Sequence, residues 1–189
     1  MLKPATPMDR YEPLRRRTIA LVGLMGVGKS SVGRRLASAL NLPFRDADTE
    51  VEVAAGRSIP EIFAELGEPA FRDGERRVIA RLLEGPPHVL ATGGGAFMNP
   101  ETRELIKARA VSVWLKADLE VLARRVGRKD NRPLLAGKDP LETLQALAEA
   151  RYPAYAEADI TVETGDTAHH VTVGQVIDAL SAHLGETTK

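Results

Sequence analysis

The sequence predicts an α/β fold: a parallel sheet of about five strands, covered by helices on both faces and fitted with a mobile lid. Three observations predict it. From residue 18 almost to the end, short apolar runs alternate with stretches of helical periodicity, the pattern of a parallel sheet with helical crossovers. Hydrophobic residues make up 43% of the 189 but aromatics only 4%, so the core must rest on Leu, Val, Ile and Ala, as buried parallel strands do. Directly after the apolar run Thr18-Ile19-Ala20-Leu21-Val22, the segment Gly23-Leu24-Met25-Gly26-Val27-Gly28-Lys29-Ser30 fits G-x-x-x-x-G-K-[ST] at every fixed position.

The elements follow in order. Residues 1 to 17 hold three prolines and Arg15-Arg16-Arg17 with little to bury, and read as a flexible N-terminal extension to a single domain over 18–189. After strand 18–22, Val32, Leu36 and Leu40 at i, i+4 spacing predict a helix that stops before Pro43. Leu42 to Asp48 reads as a short strand ending in two acids, followed by helix from about Thr49 to Ala55. Ser58-Ile59-Pro60-Glu61 has the form of a capping box with proline in the first turn, and opens helical sequence that runs to Leu83 with a break near Gly67. Gly74, inside it, costs about 1 kcal/mol relative to alanine. His88 to Thr92 is the next strand and ends in Gly93-Gly94-Gly95; Asn99-Pro100 caps a helix to about Ala108. Ala110 to Leu115 is a buried strand, with Trp114 read as core, and Asp118 caps another helix. The polar segment Gly127 to Lys138 has the composition of a movable loop and is read as the lid. Asp139-Pro140 starts the next helix, Ile160-Thr161-Val162 is the last strand, and Val173, Val176, Ile177, Leu180 and Leu184 mark a final amphipathic helix. His169-His170 reads as solvated loop rather than a metal site.

Composition excludes several functions. Lysine plus arginine equal aspartate plus glutamate at 26 each, so no global basic field gathers nucleic acid or anionic lipid, and neither is an expected partner. The absence of cysteine excludes disulfides, thiol catalysis and thiolate zinc sites. No apolar stretch approaches the roughly 18 residues of a membrane span, and Met1 to Arg17 lacks the apolar segment of a secretory signal; a cytoplasmic monomer is expected.

The chemistry starts at the glycine-rich segment. Its context, strand before and amphipathic helix after, makes it a P-loop, and the fold a P-loop NTPase-type sheet. Glycine lets successive backbone N–H groups turn toward phosphate oxygens, and the following helix points its positive end at the same anion. Gly26, Val27, Gly28, Lys29, Ser30 and Ser31 are the candidate nucleotide cradle, with Lys29 a point charge near the β and γ phosphates and Ser30 a hydroxyl for Mg²⁺. Asp46 and Asp48 flank Ala47, and in a two-residue strand period they point the same way. One carboxylate could order Mg²⁺ while the other accepts a proton from a substrate hydroxyl; Asp48 could equally cap the helix after it, and the two roles can coexist.

With these residues in place, the chain resembles the shikimate kinases, from its first strand to its last. The resemblance rests on five landmarks. Asp46-Ala47-Asp48 resembles the family's D-x-D, which implies Asp46 on the metal side and Asp48 as substrate ligand and base. Phe71-Arg72-Asp73-Gly74-Glu75 resembles F-R-x-x-E, which implies that Arg72 grips the shikimate carboxylate and Glu75 supports the site. Gly93-Gly94-Gly95 matches a triple glycine lying against the substrate ring. Arg132-Pro133-Leu134-Leu135 matches the lid's R-P-L-L, whose arginine closes over the transferring phosphate. Arg151-Tyr152-Pro153-Ala154-Tyr155 resembles R-x-P-x-Y, which implies Arg151 as a second carboxylate ligand, and Arg125 resembles the residue stacked on adenine. The implied cofactors are ATP and Mg²⁺, and the implied acceptor is the 3-hydroxyl of shikimate. By their chemistry alone, Arg72 and Arg151 are two guanidinium forks suited to one carboxylate, although either alone could be a surface ion pair. Arg132 before Pro133 is a candidate arginine finger in cis. Two features depart from the family: Ser31 replaces a more familiar threonine, and Gly165 to His170 lacks the proline of the adenine-contacting loop. The competing readings are a gluconate or nucleoside monophosphate kinase, and a nucleotide-binding switch without turnover. The paired arginines and triple glycine disfavour the first, and the missing N-K-x-D guanine signature and complete catalytic set disfavour the second.

Overall fold

In the computed structural model, which describes residues 11–127 and 139–187, five strands form one parallel sheet in the order β2-β3-β1-β4-β5. The strands are β1 (Thr18–Val22), β2 (Phe44–Asp46), β3 (Val89–Ala91), β4 (Ala110–Ala117) and β5 (Ile160–Thr164). The helices are α1 (Lys29–Leu40), α2 (Ala47–Ala55), α3 (Ile59–Glu84), α4 (Pro100–Arg109), α5 (Leu119–Val126), α6 (Pro140–Tyr155) and α7 (His169–Thr187). Central β1 is buried along its whole length, as a strand covered on both faces must be, and it is made only of Thr, Ile, Ala, Leu and Val. Helix α1 packs against α7 on one side of the sheet; α4 packs on β4 and against α3 on the other.

The register sets where ligands meet. Leu21 of β1 pairs with Ala91 of β3, and Ala91 pairs with Asp46 of β2. Three adjacent strands therefore end level with one another. The P-loop leaves β1, the triple glycine leaves β3 and the D-x-D leaves β2, all at the carboxyl edge where ligands bind in open α/β sheets.

Local signals decide most boundaries. Ser58 accepts from the Glu61 backbone while the Glu61 side chain accepts from Ser58 N, a complete capping box. Asn99, Asp118 and Asp139 cap α4, α5 and α6. Gly67, at φ 81°, breaks α3 where the sequence predicts. Helices α2 and α3 carry a separate small core of Val51, Ile62, Phe71 and Val78, apart from the main core under the sheet.

Two expectations change. Strand β2 stops at Asp46, because the Asp46 carboxylate accepts from Asp48 N and Thr49 N and starts α2 at Ala47. Asp48 thus sits in a helical first turn, and the helix cap is Asp46. Of the expected N-terminal extension, residues 11–17 pack onto the domain: Leu14 is 2% exposed, and Arg15 Nε donates to Leu40 O at 2.9 Å. One apolar side chain in a short 3₁₀ turn, Pro13–Arg16, suffices to dock it. Residues 1–10, 128–138 and 188–189 lie outside the described residues, and with them Arg132 and all but the first residue of the segment 127–138 that the sequence predicts as a lid.

Candidate active site

The P-loop backbone takes the conformations that its glycines were expected to supply. Gly23, Gly26 and Gly28 have φ of 143°, 81° and 96°. Gly28 caps α1 with no side chain, so the first N–H groups of the helix face the cleft with no competing acceptor from a cap. Lys29 Nζ donates to Gly23 O at 2.7 Å and Leu24 O at 3.0 Å, which holds the ammonium within the loop. Ser31 lines the cleft with Ser30, whereas the Val27 side chain is buried and only its backbone is available to a ligand. This cleft encloses about 510 Å³. Arg125 lines its outer part and donates to Gly165 O at 3.0 Å.

Ser30 Oγ donates to Asp46 Oδ2 at 2.6 Å. The contact joins the start of α1 to the end of β2 and sets two hard oxygen donors together at the inner end of the cleft. Magnesium keeps most of its ligands as water and phosphate oxygens and needs only one or two from protein, so this pair fits the ion.

A second cavity of about 610 Å³ opens beside the first, between the triple glycine, α2 and α3. Each glycine of the triplet has a charged side chain close to the place its Cβ would take. A Cβ on Gly93 would collide with Glu75 Oε1 and lie 3.0 Å from Asp48 Oδ1; on Gly94 it would lie 3.1 Å from Arg151 Nη1; on Gly95 it would lie 2.5 to 2.6 Å from the Arg72 guanidinium. The structure thus brings Asp48, Arg72, Arg151 and Gly93 to Gly95 into one pocket, although they come from α2, α3, α6 and the β3 loop.

The electrostatics are strained in a useful direction. Burial pushes the Asp48 carboxyl up from the ordinary aspartate value, the Asp46 charge pushes the same way, and Lys29 and Arg72 oppose it. Glu75 is 2% exposed; burial raises its carboxyl too, against the pull of Arg72, whose Nη1 donates to Oε2 at 2.8 Å. Its Oε1 has no hydrogen-bond partner among the described residues. Arg72 is therefore braced by Glu75 on one side and by Glu68 at 3.2 Å on the other, and its guanidinium lies 5.0 Å from the centre of the Phe71 ring. The buried Tyr155 hydroxyl, pushed up to about 12 by desolvation, donates to Gly94 O and ties α6 to the triplet.

The sequence marks Tyr155 only as the last residue of the R-x-P-x-Y segment and gives it no role; it stands four residues after Arg151, one helical turn, and so faces the same pocket wall. His169 was expected in a solvated loop; it opens α7 and lines the nucleotide cleft, in the segment that the resemblance aligns with the adenine-contacting loop. The two cavities share Met25, Asp48, Gly93 and Gly94, so Asp48 stands at their junction.

A phosphate cradle that opens onto a pocket of two arginines and a buried carboxylate defines a small-molecule kinase of the P-loop class. The chain belongs to the shikimate kinase family: the family model described as shikimate kinase matches residues 25–181. The shikimate kinase of Caulobacter vibrioides is 76% identical over 172 residues, which cover 91% of this chain and 86% of the relative. That of Paramagnetospirillum magneticum is 61% identical over 168 residues, 89% of this chain and 86% of the relative. The solved shikimate kinase from Acinetobacter baumannii in complex with shikimate superposes with a TM-score of 0.86 at 38% identity, covering 95% of this chain and 99% of that one. This chain is accordingly an ATP-dependent kinase, and the reading of a nucleotide switch without turnover falls away.

Proposed function

We propose that the chain transfers the γ-phosphoryl group of ATP to the 3-hydroxyl of shikimate, giving shikimate 3-phosphate and ADP for aromatic amino-acid synthesis. The observation that carries the reading is the common wall of the two cavities, where Asp48 faces both the phosphate cradle and the arginine pocket. Arg72 and Arg151 bind the acceptor's carboxylate as charge-assisted forks, and the bare backbone of Gly93 to Gly95 lets its ring lie close. Asp48 orients the hydroxyl and takes its proton; a carboxylate raised by burial is a better base than a solvated one. Lys29 stabilises charge on the transferring group, aided by Arg132 from the lid. Ser30 and Asp46 would hold Mg²⁺, which would supply positive charge against the phosphates. Val27 contributes backbone to the cradle, Ser31 lines it and Arg125 contacts the base. We further take the enzyme to act as a cytoplasmic monomer over the single domain.

The test is coupled ADP release from MgATP by the purified chain, with shikimate, gluconate or nucleoside monophosphates as acceptor. Strong stimulation by shikimate alone is the expected result. Equal stimulation by gluconate, or flat release with every acceptor, overturns the assignment of the substrate.

A further inference from the structure

Arg103 of α4 lines neither cavity, yet its guanidinium joins two segments that do. Its Nη1 donates to Phe97 O at 2.9 Å and to Met98 O at 3.3 Å, in the 3₁₀ turn Ala96–Met98 that follows the triple glycine. Ala96 N donates to Gly93 O and Met98 N to Gly95 O, so the turn and the triplet form one backbone unit. On its other edge, Arg103 Nε stands 3.2 Å from Glu157 Oε1, just beyond the end of α6, and Lys107 Nζ stands 3.5 Å from the second oxygen. The Arg103 side chain is only 17% exposed, so these contacts lie largely out of water, where arginine is uncommon without partners.

The contacts close a ring. From Glu157 the chain runs back into the last turn of α6, where the Tyr155 hydroxyl donates to Gly94 O; one turn earlier, Arg151 Nη1 lies against Gly94. Pro153 stands between them with no N–H to donate, so the helix ladder is one bond short where α6 ends. Two outside ties hold that end: Tyr155 on Gly94 O, and Glu157 through Arg103 on the 3₁₀ turn. We propose that Arg103 is a positioning residue for the acceptor: it fastens the end of α6 to the triple-glycine unit, so that Arg151 is aimed at the carboxylate it shares with Arg72. This rests on the reading of Arg151 as a carboxylate ligand. A charge-assisted hydrogen bond weakens steeply as it is misaligned. The carboxylate is remote from the reacting hydroxyl and is gripped alike before and during phosphoryl transfer, so a misaimed Arg151 shows in KM rather than in kcat.

Steady-state kinetics of Arg103→Gln, with shikimate and MgATP varied in turn, test this. The KM for shikimate should rise about tenfold, with kcat and the KM for MgATP within about threefold of the unaltered chain. In an Arg151→Lys background the same change should raise the KM for shikimate by less than about twofold more, because the residue it acts through is already altered. General loosening of the fold would instead lower kcat and disturb both substrates, or add in full to Arg151→Lys. Either result overturns the proposal, as does an unchanged KM for shikimate. An Arg151→Lys chain with an unaltered KM for shikimate would overturn the carboxylate-ligand reading itself, and this proposal with it. If Arg103→Gln does not fold, Glu157→Ala opens the ring from its exposed side and should raise the KM for shikimate about threefold with kcat unchanged; no rise overturns the proposal.

Discussion

At the scale of single residues, the glycines separate two kinds of constraint. A Cβ at Gly95 would meet only the end of the Arg72 side chain, which can swing away, and the backbone there is ordinary. A Cβ at Gly23 would lie 2.5 Å from the backbone oxygen of Leu115, at φ 143°. Gly95→Ala should therefore raise the KM for shikimate by about tenfold or more through a displaced Arg72, and lower the melting temperature as well, because buried Glu75 loses its partner. Gly23→Ala should instead lower the yield of folded protein and cost on the order of 2 kcal/mol in urea unfolding. Unchanged KM in the first variant would detach Arg72 from substrate binding. Asp48→Asn keeps the size of the side chain and removes the base; kcat should fall by about 10²- to 10⁴-fold while ATP binding measured by calorimetry stays within a few-fold. Equal loss of both would refute the assigned role. Because burial and Asp46 raise the Asp48 carboxyl, the acid limb of kcat/KM should lie above the ordinary aspartate range and follow Asp48.

At the scale of elements, the α2–α3 module supplies most of the acceptor pocket's lining from a small core of its own. It depends more on local devices than the sheet does. Its devices are the capping box at Ser58, the αL turn at Gly56 and the break at Gly67. Ser58→Ala removes the side-chain acceptor for Glu61 N and should cost about 1 kcal/mol, read as a lower urea midpoint. Ser58 also lines the acceptor cavity, so a rise in KM for shikimate should accompany it. The helix signals in this region were all legible: serine with glutamate three residues on, proline in the first turn, glycine at the break. The exchange of roles between Asp46 and Asp48 was not. A strand period and a helix cap compete for the same three residues, and the outcome depends on Asp46 Oδ1 reaching two backbone N–H groups while Oδ2 takes the Ser30 hydroxyl.

At the scale of the molecule, stability against acid turns on groups far from the site as well as in it. His88, at the amino-terminal end of β3, has Nδ1 2.9 Å from Pro86 O, and its Nε2 is buried with no partner among the described residues. Protonation would place a second N–H where nothing accepts it. Burial, with some help from Arg45, holds the imidazole below its ordinary value of 6.5. The unfolded chain then binds the proton more readily than the folded one. The resulting stability is present above about pH 6.5 and is lost as pH falls below it. Urea midpoints between pH 7.5 and 5 should fall more for the unaltered chain than for His88→Gln. An equal slope in both would remove His88 from the account. Asp48 and Glu75 act with the opposite sign: their carboxyls are raised in the folded state, so they disfavour folding once ionised, and the site keeps them at that cost for function.

The sequence alone determined the succession of strands and helices along the chain, the caps of α3 to α6 and the P-loop, because each rests on contacts within a few residues along the chain. Tertiary structure decided what depends on distant segments meeting. It ended β2 at Asp46 and docked Leu14, so that the packed domain begins before residue 18. It also crowded Glu75, Arg151 and Arg72 against the places where Cβ atoms of Gly93, Gly94 and Gly95 would stand, and it brought His169 from the far end of the chain to the wall of the nucleotide cleft. Periodicity reports which face of an element is apolar; only the packed sheet sets which faces share a cavity.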